Sequence, residues 1–178
     1  MAIKRLSTHA HASAIFLTVG IFFQVSESTA QSTAVESTVD PAGYILWDAA
    51  TVEAAANRLE KSLGDEALVW ETIGNYDGHS VYLVLRGKTS RAEIHDTESD
   101  VQISVRGKAT SVIGGELVDA ESLPRKQQRG SSIEGGNHRE LAPGDIMHIP
   151  PGAPHQLLID PAEPYMYLLI KIDEEPLP

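Results

Sequence analysis

From Asp48 to Leu63 the apolar positions recur at helical spacing. Val52, Ala55, Ala56, Leu59 and Leu63 fall on one face. Asp48 is a good N-cap residue and Gly64 a good stop, so the pattern predicts one amphipathic helix over about 48–63, packed on the sheet that follows. From Ala67 the period shortens to two. Strands are expected at 67–73, 80–85, 91–95, 101–105, 109–113, 139–141, 145–149, 155–159 and 165–172. Asn75-Tyr76-Asp77-Gly78 reads as a turn and Arg106-Gly107-Lys108 as a tight connection. Many short strands with regular turns predict an antiparallel sandwich or barrel. Residues 115–137 are polar and glycine-rich. They lack the Lys-Ser/Thr ending and following helix of a phosphate loop, which leaves a connection across one end of the barrel or a lid over a pocket.

Residues 1–30 carry a different pattern. Lys4 and Arg5 precede an apolar stretch from Ala12 to Val25, and Ser28-Thr29-Ala30 offers small residues for cleavage. This predicts a secretory signal peptide, with Gln31 as the mature N-terminus. The stretch is short for a membrane span, which needs about 20 apolar residues. The expected organisation is therefore a signal peptide at 1–30, a Ser/Thr-rich lead-in at 31–43 and one domain at 44–178, in a secreted or periplasmic protein with no membrane association after cleavage. Loss of Lys4, Arg5 and Glu27 takes the net charge from −11 to −12. So acidic a domain, with no basic stripe along its sequence, argues against nucleic acid as a partner. The chain has no cysteine, which excludes thiolate catalysis, iron–sulfur clusters and zinc-thiolate sites.

The chemistry concentrates in Gly144-Asp145-Ile146-Met147-His148-Ile149-Pro150-Pro151-Gly152-Ala153-Pro154-His155. A buried strand runs into a Pro-Pro-Gly turn that stops the ladder and holds His155 on stiff backbone. Earlier, Glu93 and His95 stand two apart on one strand, so their side chains leave the same face, and Asp100 and Gln102 do likewise on the next. These residues resemble the two motifs of the cupin family. Gly144, Pro150, Gly152 and His155 fit the second motif, Gly-x5-Pro-x-Gly-x2-His-x3-Asn, with Ile159 in the Asn position. Glu93, His95, Asp100 and Gly107 fall on the His, His, Glu and Gly positions of the first, for which no opening glycine is assigned. The resemblance spans about residues 80–172.

It implies an all-β double-stranded β-helix barrel preceded by the one helix. It also implies a divalent metal held by Glu93, His95, Asp100 and His155, and pairing as homodimers through strand edges. Two nitrogens and two oxygens suit iron(II), manganese(II) or zinc better than copper(I), and a cation would cancel two carboxylates facing each other in a barrel. Gln102 and His148 are the further pocket residues, for positioning or proton transfer. The resulting expectation is a metal-binding cupin acting on a small polar molecule, of isomerase, lyase or oxygenase type. The alternative is a non-catalytic module of the same fold that binds a small molecule, with a polar interior and no metal. A 2-oxoglutarate-dependent oxygenase fits less well, because the acid precedes His95 and no arginine follows His155, only Lys171. Asp96 is a candidate to orient the His95 ring, and Glu98 is expected to be solvated. His79 and His138 are expected at the surface. Trp47, Trp70, Tyr82, Tyr165 and Tyr167 are expected in the core. Ser131 and Ser132 show no nucleophile-elbow pattern.

Overall fold

The computed structural model describes residues 40–173 and Glu175. The segment expected to be a signal peptide and most of the expected lead-in lie outside the described residues. Two units are distinguished, 1–44 and 45–178. In the first, the described residues make a turn in which the Tyr44 amide donates to the Pro41 carbonyl at 3.0 Å. All that follows concerns the second.

Helix α1 (Ala49–Leu63) begins where Asp48 accepts a hydrogen bond from the Thr51 amide at 2.8 Å. Its small residues Ala55 and Ala56 let it approach closely, and with Leu59 they bury against Leu83, Leu85 and Met166 on the outer face of a sheet. No described helix is long and apolar enough to cross a membrane.

Thirteen strands follow: β1 (Leu68–Tyr76), β2 (His79–Arg86), β3 (Ala92–His95), β4 (Glu98–Arg106), β5 (Ala109–Ile113), β6 (Glu116–Val118), β7 (Glu121–Leu123), β8 (Gln127–Gly130), β9 (Ser132–Glu134), β10 (Asn137–Leu141), β11 (Ile146–Ile149), β12 (His155–Leu158) and β13 (Tyr165–Asp173). One sheet runs β1-β2-β13-β4-β11 and the other β10-β5-β12-β3-β8-β7, with β6-β9 as a small pair. Every pairing is antiparallel. From β2 to β5, and again from β10 to β13, the chain steps from one sheet to the other at each strand, which winds it into a double-stranded β-helix. Between the sheets lies a core of Val84, Leu141, Leu157, Tyr165, Tyr167 and Leu169 among others. Period-two burial sends these side chains inward while their sequence neighbours meet α1 or water.

Two expectations need correction here. The 115–137 segment is not a bare connection: β6 to β9 occupy most of it, and β8 and β7 extend the second sheet beyond β3. Strands of three or four residues give too brief an alternation to read as strands. Trp70 is not in the core. It is 60% exposed, on the outermost strand of its sheet.

Candidate functional site

Ladder register brings the motif residues together. His155 on β12 pairs directly with Glu93 on β3, and Asp100 on β4 pairs directly with Lys171 on β13. The turn after β11 is tied down where the Gly152 amide donates to the His95 carbonyl at 2.8 Å. The two imidazoles, sixty positions apart, end with ring centroids 5.3 Å apart, tilted 48°. His95, Asp100, Gln102 and His155 are all buried.

Hydrogen bonding settles the face each ring presents. His155 Nδ1 lies 3.0 Å from the Ala153 carbonyl, which only accepts, so Nδ1 carries the proton and Nε2 the lone pair. That Nε2 is buried without a hydrogen-bond partner. It stands 3.7 Å from Glu93 Oε1 and 3.8 Å from Asp100 Oδ2. His95 Nε2 accepts from the Lys171 ammonium at 3.0 Å, which puts its proton on Nδ1, 3.4 Å from Glu98 Oε2 but outside hydrogen-bonding geometry. The same Nε2 is 3.6 Å from Glu93 Oε2 and 3.9 Å from Asp100 Oδ2.

Burial first, and then the Lys171 charge, pushes the His95 imidazole down from 6.5 to about 4. Burial likewise lowers His155. Both rings are therefore neutral at pH 7, as ligands must be. A buried neutral histidine also sets a pH dependence. Its folded pKa lies below the unfolded value, so its contribution is fully present above pH 6.5 and lost as pH falls through about 4. At about 1.36 kcal/mol per unit, His95 alone should remove up to about 3 kcal/mol across that window. Urea unfolding of metal-free protein at pH 7 and at pH 4.5 should show the fall; coincident midpoints would contradict the buried, neutral ring.

Glu93, His95 and His155 each offer a donor atom, all within 4.8 Å of one another. Asp100 stands outside that trio. Its Oδ1 accepts from Lys171 at 2.8 Å, and the same ammonium donates to Glu98 at 3.0 Å. Glu93 is itself shared: it pairs with Arg129 and lies 3.6 Å from Arg86 Nη2. Arg86 is held by the Tyr167 hydroxyl at 3.0 Å and by Ser90. The site opens into a cavity of about 980 Å³ that Gln102 also lines.

His148 is not part of it. It shares the outward face of β11 with Ile146, is exposed, and does not line the cavity, while Met147 and Ile149 turn inward. Asp96 is exposed and accepts from Gln128 at 3.3 Å; Glu98, expected in solvent, is the carboxylate beside the His95 ring. His138 is exposed. So is His79, stacked on Tyr76 at 4.7 Å on the cavity rim. Arg86 and Arg129 were missed from sequence, and Lys171 was noted only as the basic residue after His155. A signal existed for two of them: Lys171 continues the inward face Tyr165, Tyr167, Leu169, and Arg86 continues Tyr82, Val84.

The donor set fits a divalent metal. A lone pair on His155 points at two carboxylates with nothing to bond it, and His95 adds a second lone pair beside the same carboxylates. Lys171 is the competitor, a +1 charge already seated on His95, Asp100 and Glu98.

No family model matches the sequence, and no curated protein matches it. Solved structures do. A cupin-like protein of Thermotoga maritima is 18% identical, over 59% of this chain and 68% of that one, with a TM-score of 0.43. A Klebsiella pneumoniae protein with a double-stranded beta-helix domain is 15% identical over 62% and 80%, TM-score 0.45. A cupin-2 domain of Rhodospirillum rubrum is 16% identical over 63% and 64%, TM-score 0.45. In fold the chain is a double-stranded β-helix by its own strand order, and that order carries Glu93, His95, Asp100 and His155 to one place inside the barrel.

Proposed function

We propose that this cupin binds one divalent metal ion, with iron(II), manganese(II) and zinc as the candidates, through His95, His155 and Glu93, with Asp100 as the adjoining carboxylate. A small polar molecule would be taken up beside the ion in the cavity. The observation that carries this is the buried, unpartnered Nε2 of His155, aimed at two carboxylates beside a second imidazole lone pair. When bound, the metal supplies Lewis-acid polarisation of a substrate oxygen. The protein's own part is to hold both imidazoles in the Nδ1–H tautomer and to place Gln102 as a polar contact for the bound molecule.

Lys171 makes the test specific, because its ammonium and the metal claim the same donors. Chelator-treated protein reconstituted with manganese(II), zinc or anaerobic iron(II) should take up about one equivalent. Lys171→Met should take it up at least tenfold more tightly, since no ammonium then has to leave. Failure of both proteins to retain metal sinks the proposal.

The Lys171 contacts also favour a second reading. A lysine that already satisfies Asp100 and Glu98 is what a metal-free binding module would contain. Metal affinity unchanged or weakened in Lys171→Met would favour it. Export through the leader at 1–30 belongs to the proposal as well; a mature chain isolated from outside the cytoplasm and beginning at Gln31 is the check.

A further inference from the structure

The chain has fourteen lysines and arginines and a net charge of −11, yet six of those cations line one cavity. They are Arg86, Arg91, Arg125, Lys126, Arg129 and Lys171, against the carboxylates Glu93, Glu98, Asp100 and Asp173. Arg91 is paired with Glu121 and Lys126 with Glu175, so the local excess of positive charge lies with Arg86, Arg129 and Arg125.

The charges are sorted in space. At one end Lys171 takes Asp100 and Glu98, two carboxylates for one ammonium. At the other, Arg86 and Arg129 share the single carboxylate of Glu93. Arg86 is only 8% exposed and is braced by Tyr167 and Ser90, so its guanidinium cannot swing out to water. Arg129 stands directly across the ladder from Glu93, with its other amine on Gln127 at 3.0 Å. Burial, with the Arg86 and Arg91 charges beside it, lowers the Arg129 pKa, as expected of a guanidinium short of counter-charge. Farther out, Arg125 and Lys126 form the tip of the β7–β8 hairpin with φ of 65° and 54°. Arg125 has no ion-pair or hydrogen-bond partner among the described residues. Deep in the cavity Gln102 Oε1 is buried without a donor, on a residue 4% exposed.

We propose that the cavity binds a small hydroxylated anion, with its carboxylate or phosphate on Arg129 and Arg86 and a hydroxyl donating to Gln102. The proposal rests on the reading of this cavity as the working site. It names the class of molecule that site takes. Arg125 draws the anion toward the mouth, and the guanidinium pair gives it the planar, two-pronged contact that suits an oxyanion. Glu93 Oε1 lies 3.6 Å from Arg86 Nη2 and 3.7 Å from His155 Nε2, so an anion beside the arginines is also beside the imidazoles.

The test titrates the full-length mature protein, metal-loaded and chelator-treated, with glycerate, glycerol 3-phosphate and glycerol, followed by calorimetry. At least one of the two anions should bind at least tenfold more tightly than glycerol, and its affinity should fall with added salt. Whichever anion binds better assigns carboxylate or phosphate. Arg129→Gln should lose at least tenfold of the anion affinity and none of the glycerol affinity. Arg125→Gly, which removes an exposed charge and relieves a left-handed backbone, should lose twofold to fivefold at low salt and nothing at high salt; it keeps the test alive should Arg129→Gln fold poorly. Equal, weak binding of all three probes to protein that takes up one metal equivalent overturns this inference and leaves the metal reading standing. Anion binding that depends on Arg129 in protein that holds no metal sustains it alone.

Discussion

Replacing His155 by alanine is expected to lower metal affinity at least a hundredfold and leave the barrel folded. The reasoning starts from the ring's two nitrogens. Nδ1 is committed to the Ala153 carbonyl, and that bond gives the strand end its local geometry. Nε2 is committed to nothing. A buried polar atom without a partner costs about 1–3 kcal/mol, so alanine removes a liability together with the ring. The cavity it leaves opens onto one already present, and the net change in stability should stay within about 2 kcal/mol. The metal loses far more. Losing a residue that merely orients a ligand costs about 10–100-fold in affinity, and losing the ligand itself must exceed that. Competition with a fluorescent chelator reads the affinity, and thermal melting of the metal-free forms reads the fold. His148→Ala is the matched control. It removes the same side chain from an exposed position off the cavity and should change neither quantity. Retention of wild-type affinity in His155→Ala would remove the metal from this site.

Sequence periodicity locates the helix and the longer strands because each has an inside and an outside. Asp48 caps α1 one residue before its start, and 109–113 is a strand in both readings. Glu93, His95, Asp100 and His155 meet because strand pairing sets His155 opposite Glu93 and because residues two apart on a strand share a face. What escaped falls into two kinds. The β6–β9 segment escaped because strands of only three or four residues owe their pairing to neighbours elsewhere in the chain, not to their own alternation; β8 pairs with β3 and β7. The charged lining escaped for another reason. An arginine or lysine at the end of an apolar strand reads as the place where the strand meets water. Arg86 and Lys171 instead continue inward, because the barrel interior is apolar at one end and ionic at the other. His148 misled in the opposite sense: histidine in a motif strand invites a role, but its parity with exposed Ile146 puts it outside. Gly87 was also overlooked. It stands six positions before Glu93, where the first motif opens. A side chain there would meet Leu63 at 3.1 Å and the Glu66 carbonyl at 3.2 Å, so its place is set by the end of α1 rather than by the metal.

The glycine that ends the same motif leads to the second large effect. Gly107→Ala should destabilise the protein by about 3 kcal/mol or more. Two costs add at this position. The backbone has φ of +70°, a left-handed conformation that costs an alanine roughly 1–2 kcal/mol. A methyl group would also sit 2.2 Å from the Pro164 carbonyl oxygen and 3.1 Å from its carbon, with the Tyr165 Cα at 3.3 Å. These are backbone atoms, which cannot rotate away. Pro164 leads straight into β13, whose first three residues, Tyr165, Met166 and Tyr167, are all but fully buried. Relief would therefore have to come from moving β13 against β4, where the register already shifts between Met166 and Tyr167. Any such shift travels along the strand to Lys171 and its partners Asp100 and Glu98. At about 2–4 °C per kcal/mol for a chain of this size, the melting temperature should fall by roughly 10 °C. Gly144 provides the comparison. Its φ of +96° is also strained for alanine, but a Cβ there meets nothing within 4 Å, so Gly144→Ala should cost only the conformational part, about 1–2 kcal/mol. Equal losses in the two variants would mean that the contact with Pro164 contributes nothing and that β13 yields freely.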